Sequence, residues 1–258
     1  MAIITLTTDL GDKDIYQAAL KGSIFKLLPT VNIVDITHSV AAFNVQQAAF
    51  ILKNSFYYFP EQTVHLIGID TVYNSDTKYL AVSYKNHYFV GSDNGIFSLM
   101  IDSEPDEMVE INIMQDLKFL HFPLADIFVK TACHLAGGGK LSEIGLPIAA
   151  MEKKMTLQPV VEKNMIKGAV IYIDSFQNVI TNITKEFFNK VQQGRQFTLS
   201  FKRNETINHM SWHYNEVPEG EKLCLFGISD HLEIAINKGN ASGLLGLNLG
   251  DSVIINFE

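Results

Sequence analysis

The chain has 258 residues, 47% of them hydrophobic, which suits one large domain or two modest ones with a sizeable core. Its net charge of −8, with no offsetting basic run, excludes nucleic acid and an anionic membrane surface as expected partners. The only cysteines, Cys133 and Cys224, lie far apart in apolar surroundings and read as two buried thiols of a reduced, cytoplasmic protein rather than as a disulfide.

An apolar run over 3–8 is cut at Asp9 and lacks a basic flank, so a secretory signal is not expected, and no other run approaches membrane-spanning length. The loop Asp9-Leu10-Gly11-Asp12-Lys13-Asp14 leads into a helix-length segment over 14–28. In an open α/β sheet, a strand that breaks into a loop and then a helix marks where a ligand lies. Asp9 and Asp14 there suit a grip on a polyol or an ammonium group; they equally suit a helix N-cap and a first-turn acid. Neither Gly-x-Gly-x-x-Gly nor Gly-Lys-Ser/Thr follows, so a phosphate grip is not expected.

Further strand-like runs over 31–36 and 63–69, with a helix-length segment over 44–57, complete a β-α-β-α-β rhythm that predicts parallel strands covered by helices. Runs over 79–84 and 87–90, joined by Lys85-Asn86, read as a hairpin added to that sheet. Residues 125–136 read as a helix closed by Gly137-Gly138-Gly139, a C-cap rather than a phosphate loop because a helix precedes it. Composition shifts between Pro147 and Pro159, and we expect an α/β domain over 1–155 and a β-rich domain over 160–258. The second half carries short strand-like runs over 167–174, 179–183, 196–201, 222–226, 232–236 and 252–257, which predict a barrel or sandwich. Between the first two, Asp174-Ser175-Phe176-Gln177-Asn178 reads by itself as a turn. His209 and His213 flank Trp212 without a Glu-x-x-His context, so a metal site is not expected there. His38 reads as structural, its ring bonded to a loop carbonyl.

Five blocks, taken in order, carry a resemblance. They are the block from Ile3 to Asp14, Val34-Asp35-Ile36-Thr37-His38-Ser39-Val40, Val90-Gly91-Ser92-Asp93-Asn94-Gly95, the block from Val170 to Ile183, and Leu232-Glu233-Ile234-Ala235-Ile236-Asn237-Lys238-Gly239-Asn240-Ala241. Nearly the whole chain resembles the S-adenosylmethionine hydroxide adenosyltransferases, which hydrolyse S-adenosylmethionine to adenosine and methionine and whose relatives include fluorinating and chlorinating enzymes. The resemblance implies an α/β N-terminal domain, a smaller β-rich C-terminal domain, and a homotrimer with its sites between subunits. It implies no cofactor: S-adenosylmethionine is the substrate or ligand.

By resemblance Asp9 accepts from both ribose hydroxyls, as a carboxylate with two oxygens can. Asp14 and Asp174 match acids that receive the methionine ammonium, and Asn178 matches the asparagine on adenine. Phe43 falls where the fluorinating relative packs a Trp on the sugar, Phe176 is placed to stack on adenine, and Ser229 falls at or beside the serine on the methionine carboxylate. The water-handling residues depart from the family pattern. Asp70 is kept, but Thr77 stands at the family's Arg, Pro123 at its His and Leu124 at its Gly. His121 could replace the His across an insertion; Lys78 could replace the Arg only by a one-residue shift that turns a strand side chain to the other face. Leu124 falls where the fluorinating enzyme has a serine near fluoride, which argues against a halogenase. Two functions stay open: a hydrolase with Asp70 and His121 at the water, or a non-catalytic member that binds adenosine or S-adenosylmethionine.

Overall fold

The computed structural model describes residues 2–71, 78–202 and 205–258, which divide by their contacts into two units, 1–155 and 156–258. The first unit runs β1 (Ile3–Thr8), α1 (Tyr16–Leu27), β2 (Asn32–Thr37), α2 (Val45–Lys53), β3 (Val64–Gly68), β4 (Tyr79–Tyr84), β5 (His87–Ser92), α3 (Ile96–Met100), β6 (Glu107–Ile111), α4 (Ile127–Ala136) and β7 (Gly145–Pro147). Its seven strands lie in the order β2-β1-β3-β5-β4-β6-β7, parallel from β2 to β5 and antiparallel beyond.

Helices on both faces leave the central strands no wet side, so the two side-chain sets of each strand enter two different cores. Leu66 packs with Leu20, Ile24 and Phe128. Its neighbour Ile67 packs with Ala48, Leu52 and Phe97 on the opposite face. Each such side chain contributes roughly 1.5–3 kcal/mol of burial. The expected hairpin is β4 and β5, closed by Lys85 and Asn86, both at positive φ. The segment expected as one helix over 44–57 is shorter. Asn44 caps α2 through the Gln47 N–H, the helix stops at Lys53, and a separate 3-10 turn follows over Phe56–Tyr58. Strands β6 and β7 were not expected, because both are short and depend on non-local pairing, β6 with β4 and β7 with β6.

The second unit runs β8 (Val160–Glu162), β9 (Met165–Ile173), β10 (Val179–Thr184), α5 (Lys185–Gln192), β11 (Phe197–Phe201), β12 (Glu205–Ile207), β13 (Lys222–Phe226), β14 (His231–Ile236), α6 (Ala241–Leu245) and β15 (Ser252–Phe257). The antiparallel order β12-β11-β15-β9-β10-β14-β13 curls toward closure, with Met210 just beyond β12 bridging to Cys224 on β13, which makes a nearly closed barrel. Strand β9 is long enough to serve both halves: residues up to Ala169 pair with β15, and those from Val170 pair with β10. At that switch the β9–β10 register shifts, and Asn182 occupies the break, its Oδ1 accepting from Ala169 N–H at 2.8 Å and its Nδ2 donating to the Leu157 carbonyl at 2.7 Å. Phe188 of α5 meets Phe197, Phe226 and Phe257 edge-on or tilted. Both cysteines are free and buried, one in each unit, and burial pushes the Cys133 thiol up to about 11 and the Cys224 thiol up to about 12. Among the described residues no helix is long and apolar enough to cross a membrane.

Candidate functional site

In the first unit Asp9 and Asp70 sit at the C-terminal ends of β1 and β3, with Phe43 between β2 and α2. Asp9 does not cap a helix: α1 begins beyond Ile15 without a side-chain cap, and Asp9 Oδ2 instead accepts the Phe43 N–H at 2.8 Å. Phe43 holds φ +63 and its ring is exposed, so the carboxylate pins a strained turn beside an uncovered aromatic face. The loop is braced from below by the Gly11 N–H, which donates to the His38 carbonyl at 2.8 Å, with Gly11 itself at φ +66. Asp14 is exposed.

His38 is buried as expected of a structural ring, but its partners are side chains and not a loop carbonyl. Nδ1 lies 2.7 Å from Thr8 Oγ1 and Nε2 lies 3.1 Å from Asp35 Oδ1. Burial pushes the Asp35 carboxyl up, and the hydrogen bonds from Lys21 and His38 more than offset it, leaving the group below its ordinary value.

Asp70 follows β3 in a left-handed conformation, φ +48, with an exposed side chain. His121 is exposed as well, in a turn between two 3-10 segments. Pro123 and Leu124, by contrast, are buried. Leu124 is 0% exposed and lies so close to the end of β3 that a Cβ on Gly68 would meet Leu124 Cδ2 at 2.5 Å. A leucine side chain therefore fills the space beside the strand end. Asp126 is committed to the same loop, accepting the Asp116 N–H at 2.8 Å and pairing with Lys130 at 2.6 Å. Lys78 pairs with Glu110 at 2.8 Å on the surface. Thr77 lies outside the described residues.

In the second unit the β9–β10 turn is built by Asp174. Its Oδ1 accepts from the N–H groups of Phe176 (2.9 Å) and Asn178 (2.8 Å), and its Oδ2 from Asn178 Nδ2 at 3.1 Å. The turn reading thus holds, and it does not exhaust the residues: Asn178 is buried with its Oδ1 accepting from no described residue, and Phe176 is exposed. Both Asp174 and Phe176 line a cavity of about 840 Å³ whose other walls include Trp212, Tyr214, Gly227 and Glu233. Ser229 does not line it; its neighbours Gly227 and Ile228 do, while the Ser229 carbonyl accepts from His231 Nδ1 at 2.7 Å.

Sequence reasoning passed over the ionisable pair in this cavity. Tyr214 donates to Glu233 Oε1 at 2.7 Å. Burial, reinforced by the charge of Asp174, raises Glu233 above the ordinary carboxylate value despite the tyrosine's hydrogen bond. Burial raises Tyr214 too, with the bond to Glu233 and the charges of both acids adding to it. The signal was available: Glu233 is a carboxylate inside Leu232-Glu233-Ile234-Ala235-Ile236, where a buried charge needs a reason. Among the described residues no three His, Cys, Asp or Glu side chains gather as metal ligands would.

The N-terminal domain of the SAM hydroxide adenosyltransferase family matches residues 4–145, and its C-terminal domain matches residues 168–254. The chain is 29% identical to a protein of Methanocaldococcus jannaschii named (R)-S-adenosyl-L-methionine hydrolase, over 98% of this chain and 95% of that one. It is 24% identical to a fluorinase of Actinoplanes sp. over 76% of each. The crystal structure of an uncharacterized conserved protein from Thermotoga maritima superposes with a TM-score of 0.87, 30% identity, and coverage of 98% of this chain and 99% of the other. With the two domain matches in sequence order and together spanning most of its length, the chain belongs to the SAM hydroxide adenosyltransferase family.

Proposed function

We propose that the protein hydrolyses S-adenosylmethionine to adenosine and methionine by in-line attack of water on C5′. The similarity, over nearly the whole chain, to relatives named (R)-S-adenosyl-L-methionine hydrolase supports this reading above all else. Water's oxygen forms the new bond to C5′, the bond from C5′ to the sulfonium sulfur breaks with its electron pair going to sulfur, and methionine leaves as a neutral thioether. One proton of the water is released, so the protein needs a group beside the nucleophile and little chemistry at the leaving group.

Asp70 is the group we assign beside that water, with His121 as its partner from the neighbouring loop. Asp9 clamps the ribose and Phe43 covers the sugar. Asp14 and Asp174 receive the methionine ammonium, and Ser229 lies beside its carboxylate. Asn178, whose Nδ2 is spent on Asp174, turns its Oδ1 to the adenine amino group. Phe176 stacks on the base. We further propose a cytoplasmic homotrimer with sites between subunits and no cofactor.

The buried Leu124, in place of a small residue beside the β3 end, favours one second reading, a member that binds the adenosyl ligand without turning it over. One assay separates them. Purified protein and an Asp70→Ala variant are incubated with S-adenosylmethionine, and adenosine is followed by chromatography. Hydrolysis well above the variant's background, unchanged by a chelator, is expected. Ligand binding with no turnover above that background leaves the binding reading standing and the hydrolase reading finished. Sedimentation at micromolar concentration should give a trimer; a monomer would remove the shared site.

A further inference from the structure

Glu233 is only 6% exposed in the middle of an apolar strand, yet one of its two oxygens has no donor among the described residues. Oε1 accepts from the Tyr214 hydroxyl, and that bond fixes the direction of the carboxylate. Oε2 accepts from no described residue, and Glu233 lines the cavity together with Asp174. The wall beside it is glycine: a Cβ on Gly227 would stand 2.6 Å from Oε2. No lysine or arginine lines the cavity among the described residues, and His213 is its only basic side chain. A buried carboxylate with an open lone pair, a second acid in the same space and no fixed cation to compensate them make a binding surface short of one positive charge. The raised titration of Glu233, to which Asp174 contributes, is the same shortage seen from the proton's side.

We propose that Glu233, held by Tyr214, is a specificity-determining residue that selects a ligand bearing a positive charge, as ammonium or sulfonium, over a neutral nucleoside. The inference rests on the reading above that this cavity takes an adenosyl compound. It adds a second acid to Asp174, whose own oxygens are largely occupied by the turn.

Isothermal titration of the full chain tests it with three probes: S-adenosylmethionine, which carries both charges; S-adenosylhomocysteine, which keeps the ammonium and lacks the sulfonium; and adenosine, which has neither. Glu233→Gln should weaken S-adenosylmethionine roughly tenfold or more, as loss of a charge-assisted contact does, while leaving adenosine within roughly twofold. Equal weakening of S-adenosylhomocysteine places the contact at the ammonium; sparing it places the contact at the sulfonium. Tyr214→Phe keeps the ring and frees the carboxylate, and should narrow the same preference by a smaller factor, which also serves if Glu233→Gln does not fold. Equal loss for all three probes, or an unchanged preference in both variants, would overturn the inference and leave the hydrolase reading intact. A preference that collapses in the variants of a protein without turnover would sustain the inference and end the hydrolase reading. Failure of the wild type to bind any of the three ends both.

Discussion

Each unit buries titratable side chains, and burial displaces them in opposite senses with opposite meaning. In the α/β unit the contrast is carried by two buried bases, His65 and His87. His65 is 0% exposed and pushed down to about 3 by burial and then by His87, which is itself lowered by burial. In the barrel the displaced groups are acids, the buried Glu233 and the more exposed Tyr214 bonded to it, both raised. Both shifts keep the neutral form inside. The surroundings separate them. His65 is closed on every side, with Nδ1 at 2.7 Å from Thr5 Oγ1, Nε2 at 3.2 Å from His87 Nδ1, and its ring stacked on Phe89 at 4.8 Å. Glu233 keeps one oxygen on an open cavity. A displaced titration therefore points to a site only where space adjoins it.

The sharpest way to break this contrast is to follow stability against pH. His65 titrates lower in the folded chain than in the unfolded one, so between about pH 6.5 and about pH 3 the unfolded chain binds the extra proton and stability falls as pH falls. Between about pH 6.5 and about pH 4 this one group should cost on the order of 3 kcal/mol, read from urea midpoints, and His65→Gln should flatten the slope. Glu233 has the opposite sign. Its folded value lies above the unfolded one, so the stability it contributes is full below its ordinary value near 4.5 and is lost as pH rises through the raised one. Glu233→Gln should remove that loss. If His65→Gln leaves the acid limb as steep as before, the closed histidine is not what stores it.

Packing at the β3 end supplies the next test. Leu124→Ala leaves a cavity in the core and should cost about 2–5 kcal/mol, and Gly68→Ala, which forces a methyl against Leu124, about 1–3 kcal/mol. Because the two side chains compete for one space, the double variant should be less destabilised than the sum of the singles. Additive losses would mean that Leu124 does not fill the strand end.

Why some of this was legible beforehand and some not follows from the range of the forces. The β1, β4 and β5 runs and the Asp174 turn are local patterns: short continuous apolar runs bounded by polar residues, and side chain to nearby backbone N–H bonds, can be read from neighbours in sequence. The division near residue 155 also lies in a local change of composition. Strands β6 and β7 exist because they extend the sheet from β4, and short runs carry no such instruction. Helix α5 was hidden by its length, although Thr184 accepting from the Phe187 N–H is a cap that Thr-x-x-Phe could have suggested. At the site, acids at strand ends were visible as residue types. That Leu124 meets Gly68, or that Tyr214 bonds to Glu233 at the edge of a cavity, depends on contacts between segments that are not neighbours in the chain.

A smaller effect is expected at Gly227. An added methyl there would press on Glu233 Oε2 without opening any core void, so Gly227→Ala should act on the cavity more than on the fold. S-adenosylmethionine affinity should drop roughly tenfold while the urea midpoint moves by about 1 kcal/mol or less. A large loss of stability with unchanged affinity would make Gly227 a packing glycine and remove one wall from the proposed charge selection.

The smallest effect belongs to Lys78, and it bears on how water is handled in the α/β unit. Were Lys78 standing in for the family's arginine, its ammonium would be held toward the nucleophile and its removal would abolish turnover. Instead it is exposed and bonded to Glu110, and that hydrogen bond, then the charge behind it, raises it above its ordinary value. A cation already spent on a solvent-screened surface pair has little to give a reaction and little to give stability. Lys78→Ala should therefore leave both the urea midpoint and adenosine release indistinguishable from wild type. A loss of turnover beyond roughly tenfold at unchanged substrate affinity would restore Lys78 to the water site and make the Glu110 pair a resting position.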